Sequence, residues 1–295
     1  MPMPPMTRAA VPAAVPKDLA DCVARALAED IGSGDVTARL VPEAQRGEAF
    51  VISRETAVIC GRPWVDETFR QLGGGTTIQW LVEEGALVAP DQRLYRLEGP
   101  ARTLLTGERT ALNFLQCLSG TATAVRRYVD AVAGTGCKIA DTRKTLPGLR
   151  NAQKYAVVCG GGINHRIGLY DGILIKENHV AAAGGIVAAI AQARALNAGV
   201  PLMTEAENFE QVRAALDADV DLLLVDDFTL EQIREAVTLT RAHRARGGKT
   251  VIEYSGGATL KTVREIAECG VDRIAIGAIT KHVQAVDLSM RFVEN

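Results

Sequence analysis

The sequence has few aromatic residues, no excess charge of either sign, no long apolar run and no close pair of cysteines. It has 33 Lys and Arg against 35 Asp and Glu, a net charge of -2. General binders of nucleic acid or membranes are disfavoured, because they need a large positive field. Aromatic residues make up 4% of the chain against 28 glycines, which favours α/β architecture over an all-β sandwich. With 295 residues, 47% of them apolar, the chain can bury a core of one or two domains.

The N-terminus and the cysteines indicate a soluble cytoplasmic protein. No stretch approaches the roughly 18 uninterrupted apolar residues of a transmembrane helix. Five prolines in residues 1–16 prevent the continuous apolar helix of a secretory signal, so we expect a flexible leader. The cysteines are too far apart in sequence for a CxxC metal site, and we expect reduced, small apolar side chains. They are Cys22, Cys60, Cys117, Cys137, Cys159 and Cys269.

The first part of the chain changes from a helical to a β pattern. Residues 17–30 predict a helix ending near Asp30, because apolar side chains share one helical stripe: Leu19, Cys22, Val23, Ala26 and Leu27. From Glu48 to about Thr106, short β-like runs (AFVIS, TAVIC, TIQWLV and RLYRL) are broken by glycines. Residues 107–134 return to helical periodicity. We therefore expect a β-rich first domain and a long connecting helix.

A strand-then-helix unit recurs from Cys137 onward. Six short apolar strands, CKIAD, GILIK, PLMTE, DLLLVD, TVIEY and RIAIG, alternate with helices. We expect three of these helices to begin at the capping residues Asn208, Thr229 and Thr259. Alternating units of this kind predict parallel buried strands, in a doubly wound sheet or in a β/α barrel.

Polar or glycine residues follow nearly every one of these strands. An open sheet concentrates its ligand groups at one switch point, whereas a barrel gathers them from the carboxyl ends of many strands. The strand ends therefore favour a barrel: Asp141 to Lys144, Lys176 to His179, Glu205, Asp226 with Asp227, Ser255 to Gly257, and Gly277 with Ala278. Six strands are fewer than the usual eight, so we expect an incomplete or modified barrel.

Cations are concentrated after two of the strands. In DTRKTLPGLR, Arg143 suits a bidentate grip on a carboxylate or phosphate, and Lys144 suits a point contact to a pyrophosphate. The segment GGGINHRIGLYDGILIKENH adds His165, Arg166 and Lys176. A solvated basic loop is the alternative. So many positive groups on one face would repel one another without a bound polyanion, and the expected ligand carries several negative charges.

Two carboxylates balance these cations. Glu205 and Asp226 each close a different strand. They could form ion pairs with the same cations, hold a divalent metal directly or through water, or stabilise a cationic transition state at a sugar carbon. The turn Ser255 to Gly257 is similar to the late-strand phosphate loops of β/α barrels, because glycine lets the backbone approach phosphate oxygens closely.

Six segments carry a family resemblance, in order from about Leu19 to Phe292: EDIGSGDVTA, GERTALNFLQCLSGTAT, DTRKTLPGLR, NHRIGLYDGILIKENH, EYSGG and GAITKHVQAVDLSMRF. Together they resemble the quinolinate phosphoribosyltransferases, which are type II phosphoribosyltransferases. The resemblance implies an N-terminal α/β sandwich domain (residues 17–115), an incomplete β/α barrel (116–280) and a C-terminal segment (281–295) that packs back on the N-terminal domain. It also implies transfer of the phosphoribosyl group of phosphoribosyl pyrophosphate to quinolinate, giving nicotinate mononucleotide, pyrophosphate and CO2 with Mg²⁺, in de novo NAD biosynthesis.

The resemblance further implies roles for individual residues. The quinolinate carboxylates would be surrounded by Arg109, Arg143, His165, Arg166 and Lys176. Lys144, Glu205 and Asp226 would be catalytic, serving the ribose, the pyrophosphate and the metal, with Thr142 among the substrate-binding residues. The ribosyl phosphate would be held by Ser255, Gly256, Gly257, Gly277 and Ala278. Arg109 would come from the neighbouring chain of a homodimer, with assembly into a hexamer left open.

Three positions depart from the family pattern. Leu146 stands where Thr is more common, Asp227 where Asn is usual, and EAEN where EVEN is common. Asp227 adds a negative charge beside Asp226.

Three other functions remain as alternatives. A relative acting on another ring, such as a nicotinate phosphoribosyltransferase or the molybdenum-operon paralogue, is disfavoured, because a monocarboxylate needs fewer cations. A Schiff-base aldolase would use Lys144 or Lys176 as its nucleophile. A non-catalytic sensor of phosphorylated sugars would bind phosphoribosyl pyrophosphate without releasing pyrophosphate.

Overall fold

The structure is a computed structural model that describes residues 14–293. Most of the predicted leader (1–16) and the last two residues of the segment 281–295 lie outside the described residues. The helices are α1 (Leu19–Ile31), α2 (Arg62–Leu72), α3 (Ala101–Ala131), α4 (Arg150–Cys159), α5 (Glu177–Ala183), α6 (Ile186–Ala195), α7 (Phe209–Asp217), α8 (Leu230–Ala245), α9 (Val263–Glu268) and α10 (Ala278–Lys281). The strands are β1 (Arg46–Ser53), β2 (Ala57–Val58), β3 (Thr77–Trp80), β4 (Leu87–Val88), β5 (Arg93–Pro100), β6 (Lys138–Ala140), β7 (Ile173–Ile175), β8 (Leu202–Ala206), β9 (Leu222–Asp226), β10 (Val251–Ser255), β11 (Arg273–Ala275) and β12 (Leu288–Phe292).

The chain forms two compact units. The first contains the described residues up to Arg126, together with Thr145–Gly161 and the segment from Ala278 onward, and the second contains Arg127–Lys144 and Gly162–Gly277. The boundary expected between residues 115 and 116 falls inside α3.

The first unit is built on an antiparallel sheet with the strand order β12-β1-β5-β3. Its buried side chains include Val51, Leu94 and Leu97, which pack with Leu104 and Leu115 of α3 in one core. The short strands β2 and β4 pair separately. Strand β12 was not predicted, and it pairs antiparallel with β1 from Ala49 opposite Phe292 to Ser53 opposite Leu288.

Both predicted helices of the first part are present. In α1 the buried residues are Cys22, Val23 and Leu27, which lie on the predicted stripe. Helix α3 is long and rich in small residues, so other segments pack closely on it. A Cβ at Gly120 would lie 2.1 Å from the carbonyl oxygen of Gln284, so only glycine permits this contact.

The second unit is a six-stranded parallel sheet with the order β6-β11-β10-β9-β8-β7, interleaved with helices. All six predicted strands are confirmed. Among the described residues, β6 and β7 form the two edges and share no ladder. A single bridge instead joins Ala140 of β6 to Ile163. The predicted incomplete barrel is therefore confirmed.

Two of the three predicted helix caps are confirmed. The Asn208 side chain accepts the amide of Gln211, and the Thr229 hydroxyl accepts the amide of Gln232. The prediction for Thr259 was wrong, because α9 begins at Val263 and its N-cap is Thr262. The Thr259 carbonyl accepts the Thr262 amide (3.1 Å), so a turn separates it from the helix.

Two further features of the described residues concern the cysteines and the helices. All six cysteines are free, and five of them are buried. Within residues 14–293, no helix combines the length and the apolar character that crossing a membrane would require.

Candidate active site

The register of the second unit's sheet brings Glu205, Asp226 and Ser255 to one face. Glu205 pairs with Leu224, and Asp226 pairs with Ser255. Paired residues of a parallel ladder point to the same face, and residues two apart on one strand do so as well. The three side chains therefore share a face near the carboxyl ends of three neighbouring strands.

Lys176 joins this group from the neighbouring strand end. Its Nζ contacts Oε2 of Glu205 in an ion pair in which the lysine is half-exposed and the carboxylate largely buried. Lys176 directly follows β7, whose last residue Ile175 pairs with Thr204. The pair is thus a consequence of β7 and β8 being neighbours. Of the roles considered for Glu205, the structure shows the ion pair with a nearby cation, Lys176.

Arg143 and Arg166 form the guanidinium pair of the site. The pKa of Arg166 is lowered, mainly because burial disfavours its charge and also because Arg143 repels it. Arg166 Nη1 donates to the carbonyl of Gly172 (3.0 Å). Arg143 Nε is buried and has no hydrogen-bond partner. A buried donor without an acceptor is costly, so an anionic ligand placed here would remove that cost.

Hydrogen bonds hold both the backbone and the imidazole ring of His165. Its amide donates to Oδ1 of Asp141 (2.7 Å), and its Nδ1 accepts the amide of Arg166 (2.7 Å). Nε2 lies 3.6 Å from Oε1 of Glu253. Both ring nitrogens therefore face the protein, and the imidazole fixes the backbone from which the Arg166 side chain extends.

A buried ion pair that was not predicted from the sequence lies behind His165. Glu253 is completely buried, and its Oε2 lies 2.5 Å from Nε of Arg273. Burial raises the pKa of Glu253 to about 7, against the opposing effect of Arg273. Glu253 is two residues before Ser255 on β10, so it shares the site's face. A charged residue at an inward position of the apolar run TVIEY was the signal that could have revealed it.

The turn after β10 leaves two backbone amides available. The Tyr254 hydroxyl donates to the carbonyl of Gly256 (2.7 Å), and the amide of Asp227 donates to the carbonyl of Ser255 (3.1 Å). Within the part of the chain that the structure describes, the amides of Gly256 and Gly257 donate to no protein acceptor. Free amides in a glycine turn are suited to phosphate oxygens.

Asp227 has a left-handed backbone, with φ of 53°. Asn and Asp are the residues other than glycine that adopt this conformation most readily. The departure from Asn to Asp at this position therefore keeps the shape of the turn and changes its charge.

The ends of β6 and β11 meet around Gly277. A Cβ at Gly277 would lie 2.9 Å from Cδ of Lys144 and 3.5 Å from the hydroxyl of Thr142. The same Thr142 hydroxyl accepts the amide of Lys144 (3.0 Å). Three predicted substrate-binding residues are thus brought together.

Two predicted site residues belong to the first unit. Arg109 is exposed on α3, and Ala278 is the first residue of α10. Leu146, one of the departures, also lies there, and its amide donates to the Gln153 side chain (2.8 Å). This contact uses the backbone and does not require a particular side chain at position 146.

Glu205 and Asp226 have the donor chemistry of a magnesium site. Mg²⁺ prefers oxygen ligands and is commonly bound through one or two carboxylates together with substrate phosphates. Two carboxylates on one face of neighbouring strands fit that pattern.

Comparison with known proteins gives consistent matches over nearly the whole chain. The model of the quinolinate phosphoribosyl transferase N-terminal domain matches residues 35–119, and that of its C-terminal domain matches residues 121–291. The carboxylating nicotinate-nucleotide pyrophosphorylase of Mycobacterium leprae is 41% identical over 276 residues, covering 92% of this chain and 95% of the relative. A probable enzyme of that name from Bacillus subtilis is 40% identical over 263 residues, covering 89% of each chain.

A solved structure supports the same assignment. The nicotinate-nucleotide pyrophosphorylase from Francisella tularensis superposes with a TM-score of 0.89 and 43% identity, covering 95% of this chain and 98% of the other. The family's two domains, the relatives and the fold therefore agree, and this chain belongs to the quinolinate phosphoribosyltransferase family.

Proposed function

We propose that this chain transfers the phosphoribosyl group of phosphoribosyl pyrophosphate to quinolinate, with decarboxylation, in de novo NAD biosynthesis. The products are nicotinate mononucleotide, pyrophosphate and CO2. Besides family membership, the observation that carries the proposal is the buried, unpartnered Nε of Arg143 beside Arg166. Two guanidinium groups that repel each other, one of them with a buried Nε that has no acceptor, favour a bound anion, and the two carboxylates of quinolinate would supply it.

The carboxylates of quinolinate would bind to Arg143, Arg166 and Lys176. A guanidinium binds a carboxylate through two parallel hydrogen bonds, which fixes the orientation of the ring. His165 would act by holding the Arg166 backbone, since its own ring nitrogens face the protein. Arg109 would be supplied by the neighbouring chain of a homodimer. Assembly of dimers into a hexamer would use a second contact, because a two-fold contact is closed at the dimer.

The ribosyl phosphate would bind the turn of Ser255, Gly256 and Gly257, whose glycine amides are available. Gly277 and Ala278 would complete this subsite, with Thr142 contacting the ribose or the pyrophosphate. The close approach of the Gly277 backbone to Lys144 supports placing phosphate and pyrophosphate at adjacent strand ends.

Lys144 would neutralise the charge that develops on the pyrophosphate as it leaves the ribosyl carbon. Glu205 and Asp226 would stabilise the positive charge that the sugar ring acquires. Mg²⁺, when bound with phosphoribosyl pyrophosphate, would be held by Glu205 and Asp226, directly or through water, and would add positive charge at the pyrophosphate.

The quinolinate nitrogen then forms a bond to the ribosyl carbon as the bond to pyrophosphate breaks. The nitrogen is now quaternary, so the neighbouring carboxylate leaves as CO2 and the ring carbon keeps the electron pair until it is protonated. No side-chain nucleophile is needed, and positioning with electrostatics supplies most of the rate.

An assay of pyrophosphate and CO2 release tests the proposal. Quinolinate should be used, and nicotinate should be a much poorer substrate, because only the dicarboxylate uses all the cations. Equal turnover of the two would refute the dicarboxylate assignment. A sensor would bind phosphoribosyl pyrophosphate and release nothing, and an aldolase would be trapped by borohydride with a carbonyl substrate.

The reaction would take place in the cytoplasm. Six free thiols in a chain of this length are typical of a reducing compartment.

A further inference from the structure

Two cysteines that are 99 positions apart in sequence meet a carboxylate in the first unit. The sulfur atoms of Cys60 and Cys159 and a carboxylate oxygen of Glu84 all lie within 4.8 Å of one another. Both cysteines are almost completely buried, and Glu84 is partly buried. The proposed phosphoribosyl transfer uses none of the three.

The backbone on the Cys60 side of the cluster is tightly held. The Cys60 amide donates to the Ser119 hydroxyl (2.9 Å), and that hydroxyl donates to the Cys60 carbonyl (3.2 Å). Ile59 exchanges two hydrogen bonds with the next segment, accepting the amide of Gly85 (2.8 Å) and donating to the carbonyl of Ala86 (2.9 Å). Cys60 and Glu84 are therefore placed by main-chain contacts.

The Cys159 side is equally constrained. Cys159 is the last residue of α4, and the following Gly160 donates its amide to Ala156 (2.9 Å). The Gly160 carbonyl accepts Nε of Arg126 (3.1 Å). A Cβ at Gly85 would lie 3.3 Å from the Cys159 carbonyl, so the loop carrying Glu84 packs on this helix end. A site whose ligands are held by rigid elements is preorganised for binding.

The Glu84 carboxylate is paired with backbone amides, and among the described residues it forms no ion pair. Glu84 accepts the amides of Gly61 (2.7 Å) and Arg62 (3.1 Å) at the start of α2. The Arg62 guanidinium instead contacts Glu83 (2.8 Å) and the carbonyl of Val82 (3.0 Å). Burial raises the pKa of Glu84, against the opposing effect of its hydrogen bonds with the two amides, Cys60 and Tyr155.

We propose that Cys60, Cys159 and Glu84 bind a divalent metal ion of the Zn²⁺ class, with the Tyr155 hydroxyl beside it. Binding converts two thiols to thiolates and releases two protons, since the thiolate is the ligand. The metal ion, two thiolates and the carboxylate sum to one negative charge, which the backbone amides at the start of α2 offset.

The donor set separates this site from the proposed magnesium site. Thiolates select soft or borderline ions, whereas carboxylates alone suit Mg²⁺. Tyr155 is positioned by edge-to-face packing on Trp64, with ring centroids 5.2 Å apart, and its hydroxyl interacts with Glu84. A bound ion would cross-link the residue-60 segment, the residue-84 loop and the end of α4.

Cobalt titration of the full chain tests the site. The protein is reduced, freed of metal with a chelator and titrated with Co²⁺, for which we expect one equivalent with a thiolate-to-cobalt charge-transfer band. Cys60→Ser and Cys159→Ser should each lose the band, and Glu84→Gln should weaken affinity at least about tenfold. Cys117→Ser and Asp226→Asn, which alter a separate thiol and the proposed magnesium site, should keep it.

The site can also be tested on the wild-type chain, which does not depend on whether a variant folds. X-ray absorption at the zinc edge of the Zn²⁺-loaded protein should show two sulfur ligands together with oxygen. Zn²⁺ should also raise the unfolding temperature of the wild-type chain and leave that of Cys60→Ser unchanged. Only oxygen or nitrogen ligands, no thiolate band in the wild type, or an undiminished band in a folded Cys60→Ser variant would overturn the proposal.

Discussion

The substitution Gly256→Ala tests how the turn after β10 is shaped. A Cβ at Gly256 would lie 2.3 Å from Oδ1 of Asp227 and 2.7 Å from its backbone nitrogen. Gly256 also has φ of 123°, which residues with a side chain rarely adopt. The second contact is with backbone, so a side-chain rotation cannot relieve it.

The expected loss of stability has two parts. A sparsely populated backbone conformation costs about 1–3 kcal/mol, and forcing an atom into a closely packed place costs about 1–3 kcal/mol more. Their sum is about 2–6 kcal/mol, a large share of the roughly 5–15 kcal/mol of a typical native protein. Gly257→Ala is the matched control, because φ is 60° and nothing lies within 4 Å of its Cβ. It should cost only about 1–2 kcal/mol.

Denaturant unfolding of the two variants and the wild type measures the difference directly. Gly256→Ala should unfold at a lower denaturant midpoint than Gly257→Ala, and its unfolding free energy should be lower by at least about 1 kcal/mol. Its KM for phosphoribosyl pyrophosphate should also rise, because the displaced turn carries the proposed phosphate-binding amides. Equal midpoints for the two variants would mean that Asp227 moves aside at little cost, and the argument from close approach would fail.

Three further predictions concern the cations and the buried carboxyl. Arg143→Lys keeps the charge and loses the planar fork, so kcat/KM for quinolinate should fall at least about tenfold, equivalent to about 1.4 kcal/mol; unchanged kinetics would return Arg143 to a surface role. Arg109→Ala and Lys176→Ala should each be nearly inactive. A mixture of the two variants, dissociated and reassembled, should recover about a quarter of wild-type activity if each chain of a two-fold dimer supplies Arg109 to the site of its neighbour. No recovery, with subunit exchange verified, would exclude that Arg109 acts in the neighbouring site. The pKa of Glu253 is raised from 4.5 to about 7 in the folded chain. Between pH 4.5 and about 7 the Glu253 carboxyl therefore keeps its proton in the folded state and loses it in the unfolded state. The free energy of unfolding should decrease as the pH rises through this range, by up to about 3 kcal/mol. Glu253→Gln should flatten that slope in denaturant midpoints, and an unchanged slope would contradict the assignment.

The secondary structure of the second unit could be predicted because its signals are local. A buried parallel strand is a short apolar run, and its carboxyl end is marked by the polar residue that follows, as in Lys176 after β7 or Ser255 closing β10. The strand β12 carried a weaker signal, because only its pairing with β1 makes Leu288 to Phe292 extended.

Contacts between distant segments could not be predicted from these local patterns. The contact of Lys176 with Glu205 requires β7 and β8 to be neighbours in register. The cluster of Cys60, Glu84 and Cys159 requires three segments that no spacing rule connects. The spacing of the cysteines excludes a CxxC motif, but it gives no information about thiols that the fold brings together.

The ion pair of Lys176 and Glu205 connects the stability of the site with its proposed chemistry. The cations on this face repel one another: burial is the main reason that the pKa of Arg166 is lowered, and repulsion by Arg143 adds to it. Glu205 relieves part of that repulsion by pairing with Lys176. In the proposed reaction, a substrate carboxylate would take Lys176 as its partner and would release the Glu205 carboxylate on the face that it shares with Asp226, where the sugar would acquire positive charge. Ion pairing and catalysis, which the sequence left as alternatives for Glu205, would then be successive states of the same carboxylate.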